Sequence, residues 1–299
     1  MGCSGILCME TRRHRRIEAC LCMIAVFLWS CTRQPQRPPD RPRLTPGVAL
    51  RDVTFHSAAL NRGMQYRVFL PTEIPPGRSL PVVYLLHGGG GGFRDWSNYS
   101  DVSHFAGTGL ILVMPEGNSS YYVNSATRPE DRYENYIVTD LISDVESKFP
   151  AERDRSGRAI VGVSMGGFGA VKLALSHPDL FSFAAGISPA IDVPSRPFSV
   201  KRISQWRQHS SIFGPWGSEA RQNRDPFVLA RSANPGQIPY LFLSCGEQEG
   251  LMPANRRFAE LLASRHFQYE FHPGPGGHDW NQWNQRLGGV FQARVDHGH

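Results

Sequence analysis

A set of short, continuous apolar runs sets the strongest limit on the fold, and the residues that directly follow three of them are His87, Pro115 and Ser164. The runs are PVVYLL at residues 81–86, LILVM at residues 110–114 and AIVGV at residues 159–163. A strand that is apolar at every position has both of its faces buried, as in a sheet covered by helices on both sides. The runs therefore predict a largely parallel sheet in the interior of the protein.

Other strand and helix patterns alternate with these runs. Tyr133, Ile137, Leu141 and Val145 recur at the four-residue spacing of one helix face. Two further strands, expected to form an antiparallel pair, are predicted at residues 53–56 and 65–70. Other strands are predicted at residues 183–187, 240–244 and 269–272, and other helices at residues 170–176 and 255–265. This order predicts one α/β domain with a mostly parallel, doubly wound sheet and helices on both faces.

Charge and cysteine are concentrated at the start of the chain. The net charge is +6, but residues 1–46 hold eight arginines against three acidic residues, so the remaining residues carry only +1. Five of the six cysteines lie in the first 31 residues, which leaves Cys245 without an internal disulfide partner in the rest of the chain. A nearly neutral body does not favour binding to nucleic acid.

The amino terminus has the pattern of an export signal. Four arginines at residues 12–16 precede an apolar stretch, residues 19–29, which is too short for a membrane-spanning helix. The stretch ends in Leu-Trp-Ser-Cys, which resembles a bacterial lipobox with Cys31 as the lipidated residue. An ordinary cleaved signal and an uncleaved anchor are alternatives, and translation could start at Met1 or Met9.

These patterns divide the chain into three parts. We predict a signal peptide of the lipoprotein type at residues 1–30, a tether rich in proline and arginine at residues 31–47, and a folded domain at residues 48–299. The protein is then exported, as an envelope lipoprotein held to the membrane through Cys31 or as a secreted protein. The sequence does not indicate the oligomeric state.

The run at residues 159–163 continues directly into Gly162-Val-Ser164-Met-Gly166. This is the G-x-S-x-G pattern, and here it lies between a predicted strand and a predicted helix. In that setting the pattern places the serine on a tight turn with its hydroxyl exposed, and small neighbours let the helix and strand approach. Ser164 is therefore a candidate nucleophile.

A serine hydroxyl needs a base, and on such a fold the order along the chain is serine, acid, histidine. His278 follows the last predicted strand in a glycine-rich loop and is the candidate base. Glu247 and Glu249 both follow the strand at residues 240–244, and their spacing alone does not separate them. The backbone N–H of Met165, directly after the serine, is a candidate oxyanion donor.

A second oxyanion donor is expected from the glycine-rich segment His87-Gly-Gly-Gly-Gly-Gly92, which follows an earlier strand. Such a segment could also bind a phosphate. No Gly-Lys-Ser/Thr follows it, however, and no acidic residue is placed to hold a ribose, so the sequence does not favour a nucleotide site.

Several segments together resemble the esterase family of α/β-hydrolases, which includes S-formylglutathione hydrolases (esterase D-like), feruloyl and acetylxylan esterases, enterochelin esterase-like enzymes and mycobacterial mycolyltransferases. The segments are YLLHGG at 84–89 with Asp95-Trp96, VMPEG at 113–117, YENYI at 133–137, GVSMGG at 162–167, Cys245-Gly246, Asn255-Arg256 and GHDW at 277–280. The likeness covers residues 48–287 and implies the α/β-hydrolase fold.

The resemblance implies a role for each matching position. Ser164 matches the nucleophile, His278 the base, and Gly89 the second oxyanion donor. Glu249 lies six residues before Asn255 and matches the family's acid, although most relatives have aspartate there and the mycolyltransferases have glutamate. The implied reaction is ester hydrolysis through an acyl-enzyme, which requires no metal and no organic cofactor.

The substrate is less constrained. The long segment at residues 190–237 carries Trp206 and Trp216, and Trp280 follows His278, so these three are candidate substrate-binding residues; the aromatic side chains could instead pack in the interior. Export favours an ester outside the cytoplasm, a small molecule or a polysaccharide, such as an acylated carbohydrate, a phenolic ester or a siderophore. The alternatives are an acyltransferase of the mycolyltransferase type and a non-catalytic envelope protein that binds carbohydrate.

Overall fold

The computed structural model describes residues 39–197, 200 and 203–298, and its described part from Arg41 onward forms one compact unit. The predicted signal peptide and residues 31–38 of the predicted tether, which include Cys31, lie outside the described residues. Residues 41–47 of that tether are hydrogen-bonded to the domain: the Arg43 N–H donates to the Ser97 carbonyl over 2.8 Å, and the Thr45 N–H donates to Ser103 Oγ over 3.1 Å.

Within the described residues, eight strands form one sheet in the order β1-β2-β4-β3-β5-β6-β7-β8. The strands are β1 (Val48–Ser57), β2 (Arg62–Pro71), β3 (Val82–Leu86), β4 (Ile111–Pro115), β5 (Arg158–Val163), β6 (Phe183–Ile187), β7 (Tyr240–Gly246) and β8 (Tyr269–Gly274). β2 pairs antiparallel with both β1 and β4, and all other pairs are parallel. The predicted sheet and its leading antiparallel pair are confirmed.

The apolar runs form central strands because successive side chains enter two different cores. Val82 and Tyr84 of β3 are fully buried in one core, and Val83 and Leu85 are fully buried in the other. Side chains alternate across a strand, so a strand between two helical layers must be apolar at every position. This explains why the runs show no alternation of polar and apolar residues.

Helices cover both faces of the sheet. They are α1 (Asp95–Tyr99), α2 (Ser103–Ala106), α3 (Tyr133–Asn135), which continues through a π-helical stretch (Tyr136–Leu141) into α4 (Ile142–Lys148), α5 (Met165–Ser176), α6 (Ile203–Phe213), α7 (Glu219–Gln222), α8 (Pro226–Ser232), α9 (Met252–Ser264) and α10 (Trp280–His297). α5 and α9 contribute to the core of Tyr84, whereas α1, α2 and α10 contribute to the core of Val83. None of the helices in the described part is long and apolar enough to cross a membrane.

Residues 190–237, which we call the cap, connect β6 to β7 and contain α6, α7 and α8. The cap has its own small core, in which Phe213 is fully buried and lies edge-on to Phe168 of α5. Phe227 packs in the same way against Phe258 of α9. These two aromatic side chains of the cap therefore hold it on the sheet domain.

Candidate active site

Ser164 lies at the carboxyl end of β5, directly before α5, with backbone angles φ 54° and ψ −113°. A positive φ is strained for a residue with a side chain, and the turn is held by a hydrogen bond from the Ser164 N–H to the Ile187 carbonyl over 2.9 Å. Glycine is required on both sides. A Cβ on Gly162 would lie 2.1 Å from the Gly166 oxygen, and one on Gly166 would lie 2.1 Å from the Leu86 oxygen.

His278 lies in the loop between β8 and α10, and its ring bridges two other candidate residues. Nε2 is 2.8 Å from Ser164 Oγ, and Nδ1 is 2.7 Å from Glu249 Oε2. The loop is fixed just after the histidine because the Asp279 side chain caps the first turn of α10. The structure thus brings the predicted nucleophile, base and acid into one hydrogen-bonded chain.

Glu249 is buried in the turn after β7, and its side chain is only 1% exposed. Its Oε1 accepts hydrogen bonds from the Gly246 N–H over 2.8 Å and from Ser188 Oγ over 2.5 Å. Burial raises the pKa of Glu249, but hydrogen bonds from His278, Ser188 and Gly246 outweigh it, so the pKa lies below its ordinary value. Glu247 is exposed and lies outside this network.

Ser188 was not predicted from the sequence, yet it is fully buried beside the acid. It follows β6 directly, has a positive φ of 48°, and accepts a hydrogen bond from Trp283 Nε1 over 3.2 Å while it donates to Glu249. The Trp283 ring lies edge-on to the His278 ring, with centroids 4.9 Å apart. Ser188 directly follows a predicted parallel strand, at the strand's carboxyl end, and this is the one sequence signal that could have identified it.

The two predicted oxyanion donors lie side by side next to Ser164. Met165 is the first residue of α5, so its N–H has no carbonyl acceptor within the helix. A Cβ on Gly89 would lie 3.9 Å from the Met165 Cβ. Buried His87 holds the glycine loop, because its Nε2 accepts from the Gly117 N–H over 2.9 Å and its Nδ1 donates to the Gly88 carbonyl over 2.7 Å.

Ser164 and His278 open into a cleft of about 670 Å³ between the sheet domain and the cap. Trp206 lines this cleft. Trp216 and Trp280 are not among the described residues that line it: Trp216 is 53% exposed and lies over Arg221, and Trp280 packs against Trp96. Lining residues that were not predicted are Tyr121, Ala190, Asp192, Val193, Arg196, Pro197, Gln205, His209, Arg221, Gly250 and Leu251.

The described residues contain no group of three or more His, Cys, Asp or Glu side chains that could hold a metal ion. The arrangement is that of a serine activated by a histidine, with two backbone N–H groups beside it. Such an arrangement can form and break an acyl–serine ester.

Comparison with known proteins places the chain among esterases. The profile of the family described as "Putative esterase" matches residues 57–292. An acetyl esterase of Caldicellulosiruptor saccharolyticus is 24% identical over 260 residues, which are 82% of this chain and 97% of that protein. Diacylglycerol acyltransferase/mycolyltransferase Ag85B of Mycobacterium avium is 26% identical over 279 residues, which are 81% of each protein.

Solved structures share the fold. The substrate-bound structure of FphF, a fluorophosphonate-binding serine hydrolase of Staphylococcus aureus, is 26% identical and has a TM-score of 0.72, with coverage of 83% of this chain and 98% of that chain. The structure of MPT51 of Mycobacterium tuberculosis is 20% identical and has the same TM-score, with coverage of 84% and 99%. The predicted α/β-hydrolase fold and the predicted resemblance are confirmed.

Proposed function

Since this chain belongs to the family described as "Putative esterase" and is a carboxylic-ester hydrolase, we propose that Ser164, His278 and Glu249 perform the hydrolysis as nucleophile, base and orienting acid. The observation that carries the proposal is the continuous chain of hydrogen bonds of 2.8 and 2.7 Å through the two ring nitrogens of His278. A histidine bound on both sides in this way has its tautomer and orientation fixed.

In the first half of the reaction, Ser164 Oγ attacks the ester carbonyl carbon while His278 Nε2 takes the hydroxyl proton. Glu249 accepts the Nδ1 hydrogen and stabilises the positive charge on the ring. The N–H groups of Met165 and Gly89 donate to the carbonyl oxygen as it becomes negative. The tetrahedral intermediate then collapses, the alcohol leaves with the proton from His278, and the acyl group stays on the serine.

In the second half, a water molecule takes the place of the alcohol. His278 removes one proton from the water, the resulting hydroxide attacks the acyl carbon, and the serine recovers its proton from the imidazolium. The products are a carboxylic acid and the free enzyme. Each proton that is taken up is returned, so the cycle closes with the chain's own residues.

Replacement of the nucleophile tests the proposal. With p-nitrophenyl acetate as substrate, Ser164→Ala is expected to lower kcat by at least about 10⁴-fold, because loss of a triad residue leaves only the oxyanion donors and binding. The circular dichroism of the variant should match that of the wild type. A folded variant that keeps wild-type turnover contradicts the proposal.

The acid is tested by a matched pair of substitutions in one turn. Glu249→Gln removes the charge that faces His278, and we expect kcat to fall by about 10²- to 10⁴-fold. Glu247→Gln changes the exposed carboxylate two residues earlier, and we expect wild-type kcat. The reverse result would assign the acid to Glu247.

We propose further that the protein is exported and tethered by lipid at Cys31, and that its ester substrate lies outside the cytoplasm. The basic, apolar and Ser-Cys segments of residues 12–31 support this. Globomycin treatment of cells that express the whole chain should leave the signal peptide on the protein, and labelled fatty acid should be incorporated into the wild-type chain but not into Cys31→Ala. Removal of the signal peptide in the presence of globomycin, or a wild-type chain that incorporates no fatty acid, contradicts the lipid anchor.

Acyl transfer to a sugar is the second candidate, supported by a relative named a diacylglycerol acyltransferase/mycolyltransferase. Transfer and hydrolysis share the acyl-enzyme and differ only in the acceptor. Turnover of an acyl ester with trehalose or glucose present would yield acylated sugar if transfer competes with water. We expect free acid as the product, and acylated sugar as the major product would favour the transferase.

A further inference from the structure

The cap contributes a group of basic side chains to the cleft that the proposed hydrolysis does not use. Arg196, His209 and Arg221 line the same cleft as Ser164 and His278. These side chains therefore lie close to whatever part of a substrate extends from the serine towards the cap.

Arg221 is the unusual member of this group, because it is only 4% exposed. Its Nε donates to the Gly214 carbonyl over 3.0 Å and its Nη1 to the Pro194 carbonyl over 3.3 Å. Among the described residues, Nη2 has no hydrogen-bond partner, and no carboxylate lies within ion-pair distance of the guanidinium. A buried charge with no opposite charge in contact is costly, and an anion nearby reduces that cost.

The acidic groups around the cleft have other partners. Asp192 is bound to Arg196 over 2.7 Å, and Glu249 is bound to His278. Asp225, one turn after Arg221, accepts from the Phe227 N–H over 2.9 Å, and burial raises its pKa. The charges of Asp192 and Arg196 cancel. Asp225 offsets part of the charge of Arg221, but Asp225 is not among the described residues that line the cleft, so Arg221 is the remaining positive side chain of the cap at the cleft wall.

The neighbouring histidine adds a polar group without adding charge. Burial, with the positive charges of Arg196 and Arg221, lowers the pKa of His209 to about 4, so the ring is neutral near pH 7. Its Nε2 lies 3.2 Å from the Tyr121 hydroxyl. Trp206 and Val193 complete this region with apolar surface, which suits the carbon skeleton of a substrate.

We propose that the cap side of the cleft binds an anionic group of the substrate, so that the enzyme prefers esters that carry a carboxylate away from the scissile bond. This inference rests on the proposed function, because it assumes that the ester carbonyl is at Ser164. Arg221 supplies the long-range attraction from behind the cleft wall, and Arg196, whose side chain is 27% exposed, is the side chain placed to contact the anion.

Pairs of substrates that differ only in charge test the inference. para-Acetoxybenzoate and para-acetoxybenzamide carry the test group on the alcohol side, and monomethyl glutarate and its monoamide carry it on the acyl side. We expect kcat/KM to be at least about tenfold higher for the carboxylate in one of the pairs, which corresponds to ~1.4 kcal/mol. Added sodium chloride should reduce that ratio, because salt screens charge attraction.

Substitutions then assign the preference to the cap. Arg221→Met should lower the ratio of the preferred pair to about one, and Arg196→Gln should lower it in the same direction. The matched control is Arg224→Met, because Arg224 also donates to backbone carbonyls, those of Asn124 and Ala220, but is not among the described residues that line the cleft. We expect Arg224→Met to keep the wild-type ratio.

The ratio compares two substrates on one enzyme, so a loss of folded protein cancels. Equal kcat/KM within both pairs, or a ratio that Arg221→Met and Arg196→Gln leave unchanged, overturns the inference even if p-nitrophenyl acetate is hydrolysed. Failure to hydrolyse p-nitrophenyl acetate would instead contradict the proposed function. In that case calorimetry with glutarate and its diamide still decides: glutarate must bind more tightly, and Arg221→Met must abolish the difference.

Discussion

Replacement of Ser188 by alanine should impair the reaction although Ser188 does not touch the substrate site directly. The change removes one oxygen, which donates to Glu249 Oε1 over 2.5 Å and accepts from Trp283 Nε1 over 3.2 Å. Alanine has nearly the same strain as serine at φ 48°, so the backbone change is small. The perturbation is therefore the loss of one buried hydrogen bond to the acid.

The magnitude follows from the charge and burial of the acceptor. A hydrogen bond to a charged group contributes about 1.5–3 kcal/mol, and Ser188 is fully buried, so water cannot replace it. The Gly246 N–H and His278 still bind Glu249, which keeps the carboxylate in place. If the loss is expressed in the transition state, kcat falls by about 10- to 100-fold.

The pH dependence separates this effect from general damage. Ser188 helps to lower the pKa of Glu249, so its loss should raise that pKa, which a pH titration of the Glu249 carboxyl carbon by NMR measures directly. The matched control is Ser182→Ala, since Ser182 is also buried but its hydroxyl donates to backbone carbonyls such as that of Gly298. A folded Ser188→Ala enzyme with the wild-type kcat and the wild-type pKa of Glu249 would contradict this prediction.

Three further predictions concern stability and reactivity. Gly166→Ala should destabilise the fold by about 3 kcal/mol or more in urea unfolding, because its Cβ would lie 2.1 Å from a backbone oxygen, whereas Gly288→Ala, with open space around it, should not destabilise. Burial raises the pKa of Glu134, but His177 and Lys172 lower it by more, to about 2. The carboxylate therefore stabilises the fold by up to about 3 kcal/mol above about pH 4.5, and this contribution is lost as the pH falls towards 2. Between those pH values the unfolding free energy of Glu134→Gln should fall less than that of the wild type, and an equal fall in the two proteins would contradict this. Burial raises the pKa of Cys245 to about 12, so iodoacetamide at pH 7 should modify it in urea but not in the native protein, as read by peptide mass.

The sheet could be predicted from the sequence because its central strands are apolar at every position. β6 begins and ends as predicted, while β5 and β7 extend past the predicted bounds by one or two residues, where polar or glycine residues hide the pattern. The π-helical stretch at Tyr136–Leu141 was not predicted, since its wider turn still buries the same stripe of residues.

The site was predictable where it depends on local motif and chain order, as for Ser164 and His278. The choice between Glu247 and Glu249 was left open by spacing, because both follow β7. The structure separates them by burial and by contact with the histidine. The roles of Ser188 and Arg221 depend on contacts between segments far apart in the sequence. The place of Ser188 directly after a predicted strand is its one sequence signal, and no local pattern marks Arg221.

The most direct test of the proposed mechanism is covalent labelling by a fluorophosphonate, which reacts with serines activated by a neighbouring base. After incubation with the probe, intact mass should increase by one adduct, and peptide sequencing should locate it on Ser164. His278→Ala should slow the labelling strongly, and Ser164→Ala should abolish it. A folded protein that takes up no probe, or takes it up on another residue, would contradict the account.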